Sequence, residues 1–167
     1  MKTAVIYDSK YGTTEKVAGS IAEKLMETNE VECFSLKKNP NPDISSFEMV
    51  ILGTPIYAGQ PSKKMKAFCK NNELVLLEKE TGLFVCGMEP NRGKRENELE
   101  EAYPFALQEK AFAAAFLGGA FLFERMNFFE RLIIRKIAKT NKTVQRILWD
   151  DVSNFVEKIL DYISYEN

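Results

Sequence analysis

The chain has 167 residues, of which 45% are hydrophobic, and its formal net charge is −1. This size and apolar content predict one compact domain spanning residues 1–167, and the near-neutral charge argues against a general nucleic-acid-binding protein. The absence of histidine excludes histidine-based catalysis and histidine metal sites, and three widely spaced cysteines are typical of free thiols in a reducing compartment, here the cytoplasm.

Apolar runs alternate with helical patterns along the chain. The runs predict strands at 3–7, 31–36, 49–53, 83–87 and within 113–123. Thr13 or Thr14 is expected to cap the first helix, and Pro61 is expected in the first turn of the second. A charged helix should end before Pro104, and the last helix should begin near Asp150. This alternation predicts an α/β fold, a doubly wound sheet of five parallel strands with helices on both faces.

Residues 125–148 are additional to this alternation of strands and helices and form an insertion near the fifth strand. The surrounding residues 121–149 hold seven basic and two acidic side chains, a charge of +5, which leaves −6 for the rest of the chain. A helix is predicted at 127–139, with apolar positions around most of its circumference. The segment either packs on its own protein or contacts a membrane surface. No nucleic-acid-binding motif accompanies its basic residues.

The loop after the first strand carries several hydroxyl groups. Hydroxyls and backbone N–H groups at the start of a helix can surround a phosphate, and Gly12 permits close approach. The spacing matches neither GxxxxGK[ST] nor GxGxxG, which favours a single terminal phosphate over a nucleoside triphosphate or dinucleotide. The alternative is an ordinary polar turn. The residues concerned are Ser9, Lys10, Tyr11, Gly12, Thr13 and Thr14.

A second candidate loop follows the buried third strand. Tyr57 can offer a flat face to an aromatic ring, and the Ala58–Gly59 peptide can turn its carbonyl towards or away from a ligand. Alternatively, Tyr57 packs on the sheet end and Gly59 only makes a turn. This loop, 54–60, joins loops 8–14 and 87–93 at the carboxyl ends of the strands, where sheets of this kind bind ligands.

Together these loops resemble those of the flavodoxin family, over nearly the whole chain. Residues 9–14 match the phosphate loop, 53–59 the second flavin loop, and 87–91 the position of the third. The resemblance implies the strand order 2-1-3-4-5 and FMN as cofactor, with its phosphate on residues 9–14. The isoalloxazine ring would lie between the second and third loops, at Thr54, Pro55, Ile56, Tyr57, Ala58, Gly59, Gly87, Met88 and Glu89.

A branch of that family is more similar still, the menaquinone-dependent protoporphyrinogen oxidases. Residues 117–121, the basic and aromatic insertion, and residues 149–155 carry this resemblance. It implies an oxidoreductase that passes electrons from a reduced substrate through FMN to a quinone, with peripheral contact at the inner face of the membrane through residues 125–148. It supplies no catalytic acid or base. Two alternatives stay open: a flavodoxin that carries single electrons to a redox partner protein, and a non-redox module that binds a phosphate ligand.

Overall fold

Five parallel strands form the central sheet of the computed structural model, which describes residues 1–166. Along the chain the first six strands are β1 Lys2–Tyr7, β2 Glu30–Ser35, β3 Met49–Tyr57, β4 Gln60–Pro61, β5 Glu80–Cys86 and β6 Ala113–Phe116. The parallel strands lie in the order β2-β1-β3-β5-β6, and the two-residue β4 pairs antiparallel with the end of β3. The predicted order 2-1-3-4-5 is therefore confirmed, with numerals shifted only because β4 is counted.

Helices cover both faces of this sheet, except α6, which lies in the insertion. The helices are α1 Thr13–Leu25, α2 Lys63–Asn71, α3 Glu73–Leu77, α4 Arg92–Ala102, α5 Phe105–Lys110, α6 Phe128–Ala138 and α7 Trp149–Glu166. One apolar cluster joins α1 and α7 to the sheet, and a second joins α2, α3 and α5 to the opposite face. The central strands are buried on both sides, which explains why they appear in the sequence as continuous apolar runs.

The starts of two helices, α1 and α2, differ from the sequence prediction. Gly12, in the left-handed conformation with φ 99°, precedes α1 without any side-chain cap, so the expectation that Thr13 or Thr14 caps the helix is wrong. The turn at Gly12 places both threonines inside the first turn of α1. Pro61 lies in β4, and Ser62 caps α2 by accepting hydrogen bonds from the backbone N–H groups of Lys64 and Met65.

The predicted fifth strand, within 113–123, is two strands. After β6 the chain turns at Gly118, whose φ of 73° favours glycine, and β7 Gly118–Phe121 leaves the parallel sheet. It pairs antiparallel with β8 Val144–Ile147, just before α7. A 3-10 turn, Phe123–Arg125, and α6 fill the hairpin between them. The insertion thus sits at the end of a two-stranded ribbon.

No helix within residues 1–166 combines the length and the apolar content that a membrane crossing needs.

Candidate functional site

A narrow cleft opens where β1, β3 and β5 end. These strands are neighbours in the sheet, so the loops that follow them meet at one edge. The cleft brings together ten of the predicted residues: Ser9, Lys10, Tyr11, Thr13, Thr14, Pro55, Ile56, Tyr57, Gly87 and Met88. It also contains four residues that the sequence reasoning did not assign to the site: Cys86, Gly119, Ala120 and Phe121.

Strand β7 forms a wall of the cleft, although none of its residues was predicted as part of the site. A Cβ atom on Gly119 would lie 2.7 Å from the carbonyl oxygen of Gly87, so only glycine permits this approach of the two backbones. The adjacent glycines 118 and 119 were the available signal, because paired glycines often mark a close backbone approach.

Five predicted residues do not line the cleft. Thr54 is buried, and its hydroxyl accepts the Ser62 N–H at 3.1 Å, which ties the end of β3 to the start of α2. Ala58 and Gly59 form the turn between β3 and β4, both with positive φ, 48° and 72°. Glu89 accepts the Asn91 N–H at 2.9 Å, and Gly12 lies behind the loop it shapes.

The loop of residues 9–14, called the phosphate loop after its predicted role, curls on itself. The Gly12 N–H donates to Ser9 Oγ at 3.1 Å, and the side chains of Ser9 and Thr14 are buried. The loop leads directly into α1, a helix of 13 residues, so its N–H groups share the positive end of the helix dipole. The arrangement is suited to an anion.

Lys10 reaches from the phosphate loop to the insertion. Its ammonium group forms an ion pair with Glu130 of α6, and this bond raises the pKa of Lys10. The same ammonium lies 5.1 Å from the ring centre of Tyr11 and 5.8 Å from that of Tyr57. The Lys10 ammonium is therefore engaged by protein groups on several sides.

Two tyrosines form the aromatic part of the cleft. The rings of Tyr11 and Tyr57 meet edge to face, with centres 5.5 Å apart and planes at 78°. Burial raises the pKa of Tyr57, so its phenol is neutral at physiological pH. Burial likewise raises the pKa of Cys86 to about 12, which leaves an unreactive thiol at the end of β5.

The cleft holds few groups that could act as acid or base. None of the described residues that line it carries a carboxylate. Within residues 1–166, no cluster of three or more cysteine, aspartate or glutamate side chains could hold a metal ion. Such a site can bind and orient a ligand, and the redox chemistry would come from that ligand.

A parallel sheet of this order, with a hydroxyl-bearing loop after its first strand and an aromatic loop after its third, is characteristic of a flavodoxin-like protein. The family model described as "Flavodoxin domain" matches residues 4–146. The chain belongs to the flavodoxin domain family, whose cofactor is FMN.

Relatives of two kinds match most of the chain. The Protoporphyrinogen IX dehydrogenase [quinone] of Escherichia coli (strain K12) is 22% identical over an alignment 171 positions long, gaps included, that covers 95% of this chain and 94% of that protein. Among solved structures, oxidised Flavodoxin 1 from Bacillus cereus has a TM-score of 0.60 at 20% identity, with 98% of both chains covered. The flavodoxin of Streptococcus pneumoniae TIGR4 has a TM-score of 0.59 at 14% identity, covering 97% of this chain and 99% of that one. The two structures share the fold.

The residues of the cleft fit FMN. The phosphate loop supplies hydroxyls at Ser9, Thr13 and Thr14, which line the cleft, as a phosphate requires. No carboxylate among the described lining residues would repel the phosphate dianion. Tyr57 supplies an aromatic wall where a planar ring system would lie.

Proposed function

We propose that this protein is an FMN-dependent oxidoreductase that oxidises a porphyrinogen-type substrate and reduces a quinone. The substrate loses electrons and protons, and the quinone takes up both to become a hydroquinone. FMN, when bound, accepts and releases electrons one or two at a time. The observation that supports this most is the insertion, which adjoins the cleft through β7 and lies within the part of the chain that aligns with the Escherichia coli dehydrogenase.

In this proposal the protein binds and orients the cofactor. The phosphate loop holds the phosphate, while residues that line the cleft flank the ring, namely Pro55, Ile56, Tyr57, Gly87 and Met88. The Ala58–Gly59 turn, with two positive φ angles, can present a backbone carbonyl to the ring edge. Phe121 and Ala120 of β7 close the cleft on the side of the insertion and help to exclude water.

The insertion also carries the surface that we propose for membrane contact. None of the residues of α6 is buried. Its half-buried side, at Glu130, Arg131, Ile134 and Ala138, is narrow. Its outer side exposes five large apolar side chains: Phe128, Phe129, Leu132, Ile133 and Ile137.

Basic residues accompany this apolar side, and the +5 charge of residues 121–149 complements an anionic bilayer. The apolar side chains can enter the headgroup region while arginine and lysine stay at its surface. A quinone dissolved in the bilayer would then be close to the cleft, which is the advantage of this arrangement for the proposed reaction.

The activity test uses protein loaded with FMN. Protoporphyrinogen IX and a menaquinone analogue are added without oxygen, and porphyrin fluorescence is followed. We expect oxidation well above that of free FMN at equal concentration, and dependence on the quinone. A rate equal to that of free FMN would refute the proposed activity.

The membrane test compares vesicles of phosphatidylcholine with vesicles that also contain phosphatidylglycerol. We expect binding to the anionic vesicles that weakens with added salt. Phe129→Ser should lower the partition coefficient about tenfold, because a buried Phe side chain contributes roughly 1.5–3 kcal/mol.

The matched control for the membrane test is Phe105→Ser on α5, because Phe105 is 75% exposed and Phe129 is 74% exposed. This variant should bind vesicles like the unmodified protein. Equal binding to neutral and anionic vesicles at low salt, or equal effects of the two substitutions, would contradict the proposed surface.

A second candidate function is that of an electron carrier between redox proteins. It is favoured by the match to flavodoxins of known structure over 97% or more of the chain. Cytochrome c reduction driven by a flavodoxin reductase, together with no porphyrinogen oxidation above free FMN, would support this alternative. Membership of the flavodoxin domain family favours either redox function over a non-redox phosphate-binding module.

A further inference from the structure

We propose that Arg125, which the insertion contributes, is a positioning residue of the phosphate loop. Arg125 ends the 3-10 turn that precedes α6, 114 residues along the chain from Tyr11. Its Nη1 nevertheless donates to the carbonyl oxygen of Tyr11 at 2.7 Å. The inference rests on the assignment of residues 9–14 to the FMN phosphate.

The bond fixes the direction of one peptide group. The Tyr11 carbonyl and the Gly12 N–H belong to the same trans peptide, and therefore point in opposite directions. The guanidinium of Arg125 holds the carbonyl on the outer side, and the N–H points inwards to Ser9 Oγ at 3.1 Å. Arg125 thus fixes the peptide whose N–H holds Ser9 Oγ in place, and Ser9 lines the cleft where the phosphate would bind.

Gly12 allows the guanidinium to come this close. A Cβ atom on Gly12 would lie only 2.6 Å from Arg125 Nη1, and the φ of 99° is itself unfavourable for other residues. The glycine therefore serves two purposes: it permits the left-handed turn, and it leaves room for the arginine.

Arg125 also brings positive charge to the loop. The other cation at the loop, Lys10, is paired with Glu130, whereas no ion pair of Arg125 occurs within residues 1–166. A guanidinium without a carboxylate partner beside the loop favours a phosphate dianion, and it polarises the peptide whose N–H faces inwards. The insertion is therefore part of the cofactor site as well as an outer surface.

The test compares two ligands that share the ring and differ in the phosphate, FMN and riboflavin. Dissociation constants are measured by flavin fluorescence quenching. Arg125→Met should raise the Kd for FMN about tenfold, the range of one hydrogen bond to a charged group, and change the Kd for riboflavin less than about twofold. Arg125→Lys, which keeps the charge, should lie between Arg125→Met and the unmodified protein.

Arg135→Met is the matched control. Arg135 belongs to the same insertion but is exposed on α6, whereas Arg125 lies on the 3-10 turn that contacts the phosphate loop. This variant should leave the ratio of the two dissociation constants unchanged. Circular dichroism and the urea midpoint of each variant confirm that it is folded.

Two results would overturn the inference: equal weakening of FMN and riboflavin by Arg125→Met, which is the signature of a purely structural residue, or no weakening of either. A different result concerns the proposed site itself. If the unmodified protein bound riboflavin as tightly as FMN, the phosphate-loop assignment would fail, and the inference with it.

Discussion

Glu130 links two parts of the molecule through one carboxylate. It accepts the backbone N–H of Asn127 in a capping box at the start of α6, and it pairs with Lys10 of the phosphate loop. Burial opposes its ionisation, but the hydrogen bonds from Lys10, Tyr11 and the Asn127 N–H outweigh burial and lower the pKa of Glu130 to about 2. The charged form of this residue is therefore favoured in the folded protein.

This pKa predicts a dependence of stability on acid. Because the folded pKa lies below the ordinary value of 4.5, the stabilisation is fully present above pH 4.5 and is lost as the pH falls towards 2. Between pH 6 and pH 3, the unmodified protein should lose about 1 kcal/mol more unfolding free energy than Glu130→Gln does, measured by urea denaturation.

The control for this prediction is Glu96→Gln. Glu96 forms an exposed ion pair with Arg92 within α4, remote in sequence from the phosphate loop. This variant should lose stability with acid as the unmodified protein does. A parallel pH dependence of Glu130→Gln and the unmodified protein would show that the Glu130 carboxylate is not coupled to folding.

At the scale of elements, the departure of β7 from the sheet depends on one glycine. A Cβ atom on Gly118 would lie 2.1 Å from the carbonyl oxygen of Arg146 and 2.9 Å from the backbone nitrogen of Leu148. Both are backbone atoms of the facing strand and its continuation, so they cannot rotate away as a side chain would. The ribbon of β7 and β8 therefore requires glycine at this position for packing as well as for φ.

Gly118→Ala should lower the free energy of unfolding by about 2 kcal/mol or more, because strain at positive φ adds to the steric clash. Gly59→Ala isolates the strain at positive φ from the steric clash. Gly59 has a φ of 72°, but no atom outside its chain neighbours lies within 4 Å of the position that its Cβ would take. It should cost about 1 kcal/mol. Equal costs in urea denaturation would show that β7 and β8 accommodate the extra methyl group.

The sequence predicts the parallel strands well and this ribbon poorly. Buried parallel strands are continuous apolar runs, so 3–7 and 49–53 were recognisable without knowledge of their neighbours. Residues 113–123 are also apolar throughout. Hydrophobicity alone cannot show where such a run stops pairing with one strand and begins pairing with another. The change follows from backbone contacts of Gly118 and Gly119 with distant residues, Arg146 and Gly87.

The orientation of α6 was unpredictable for a related reason. Its apolar residues occur around most of the helix, so periodicity selects no face for packing. The contact that orients it, Lys10 with Glu130, joins residues 120 positions apart. The meeting of residues 9–14 with Tyr57 at one edge of the sheet, in contrast, could be predicted from local sequence, because both segments follow predicted strands.

At the scale of the whole molecule, the cysteines are distributed between the surface and the two apolar clusters of the core. Cys33 is exposed, whereas Cys69 and Cys86 are buried, one in each of the two apolar clusters on opposite faces of the sheet. Burial raises the pKa of Cys69, as it does that of Cys86, so both are protected by exclusion of solvent and by a low thiolate fraction.

Cys33 should therefore react most rapidly with a disulfide reagent in the native protein, although more slowly than a free cysteine because burial raises its pKa as well. The other two should become reactive in a single transition as urea is raised, if both layers unfold together. Cys33→Ser should abolish the rapid reaction and leave the transition in place. Separate transitions for Cys69 and Cys86 would show that the two faces of the sheet unfold independently.

The pairing of β7 with β8 has a consequence for the architecture. Phe121 and Val144 are partners at the open end of the ribbon, so the chain leaves for the 3-10 turn and α6 and returns at almost the same point. Residues 122–143 thus form a cassette with adjoining ends. An Asn-Gly turn could replace them without displacing β6 or α7. The same geometry would let a lineage gain or exchange the cassette while the sheet below it stayed unchanged.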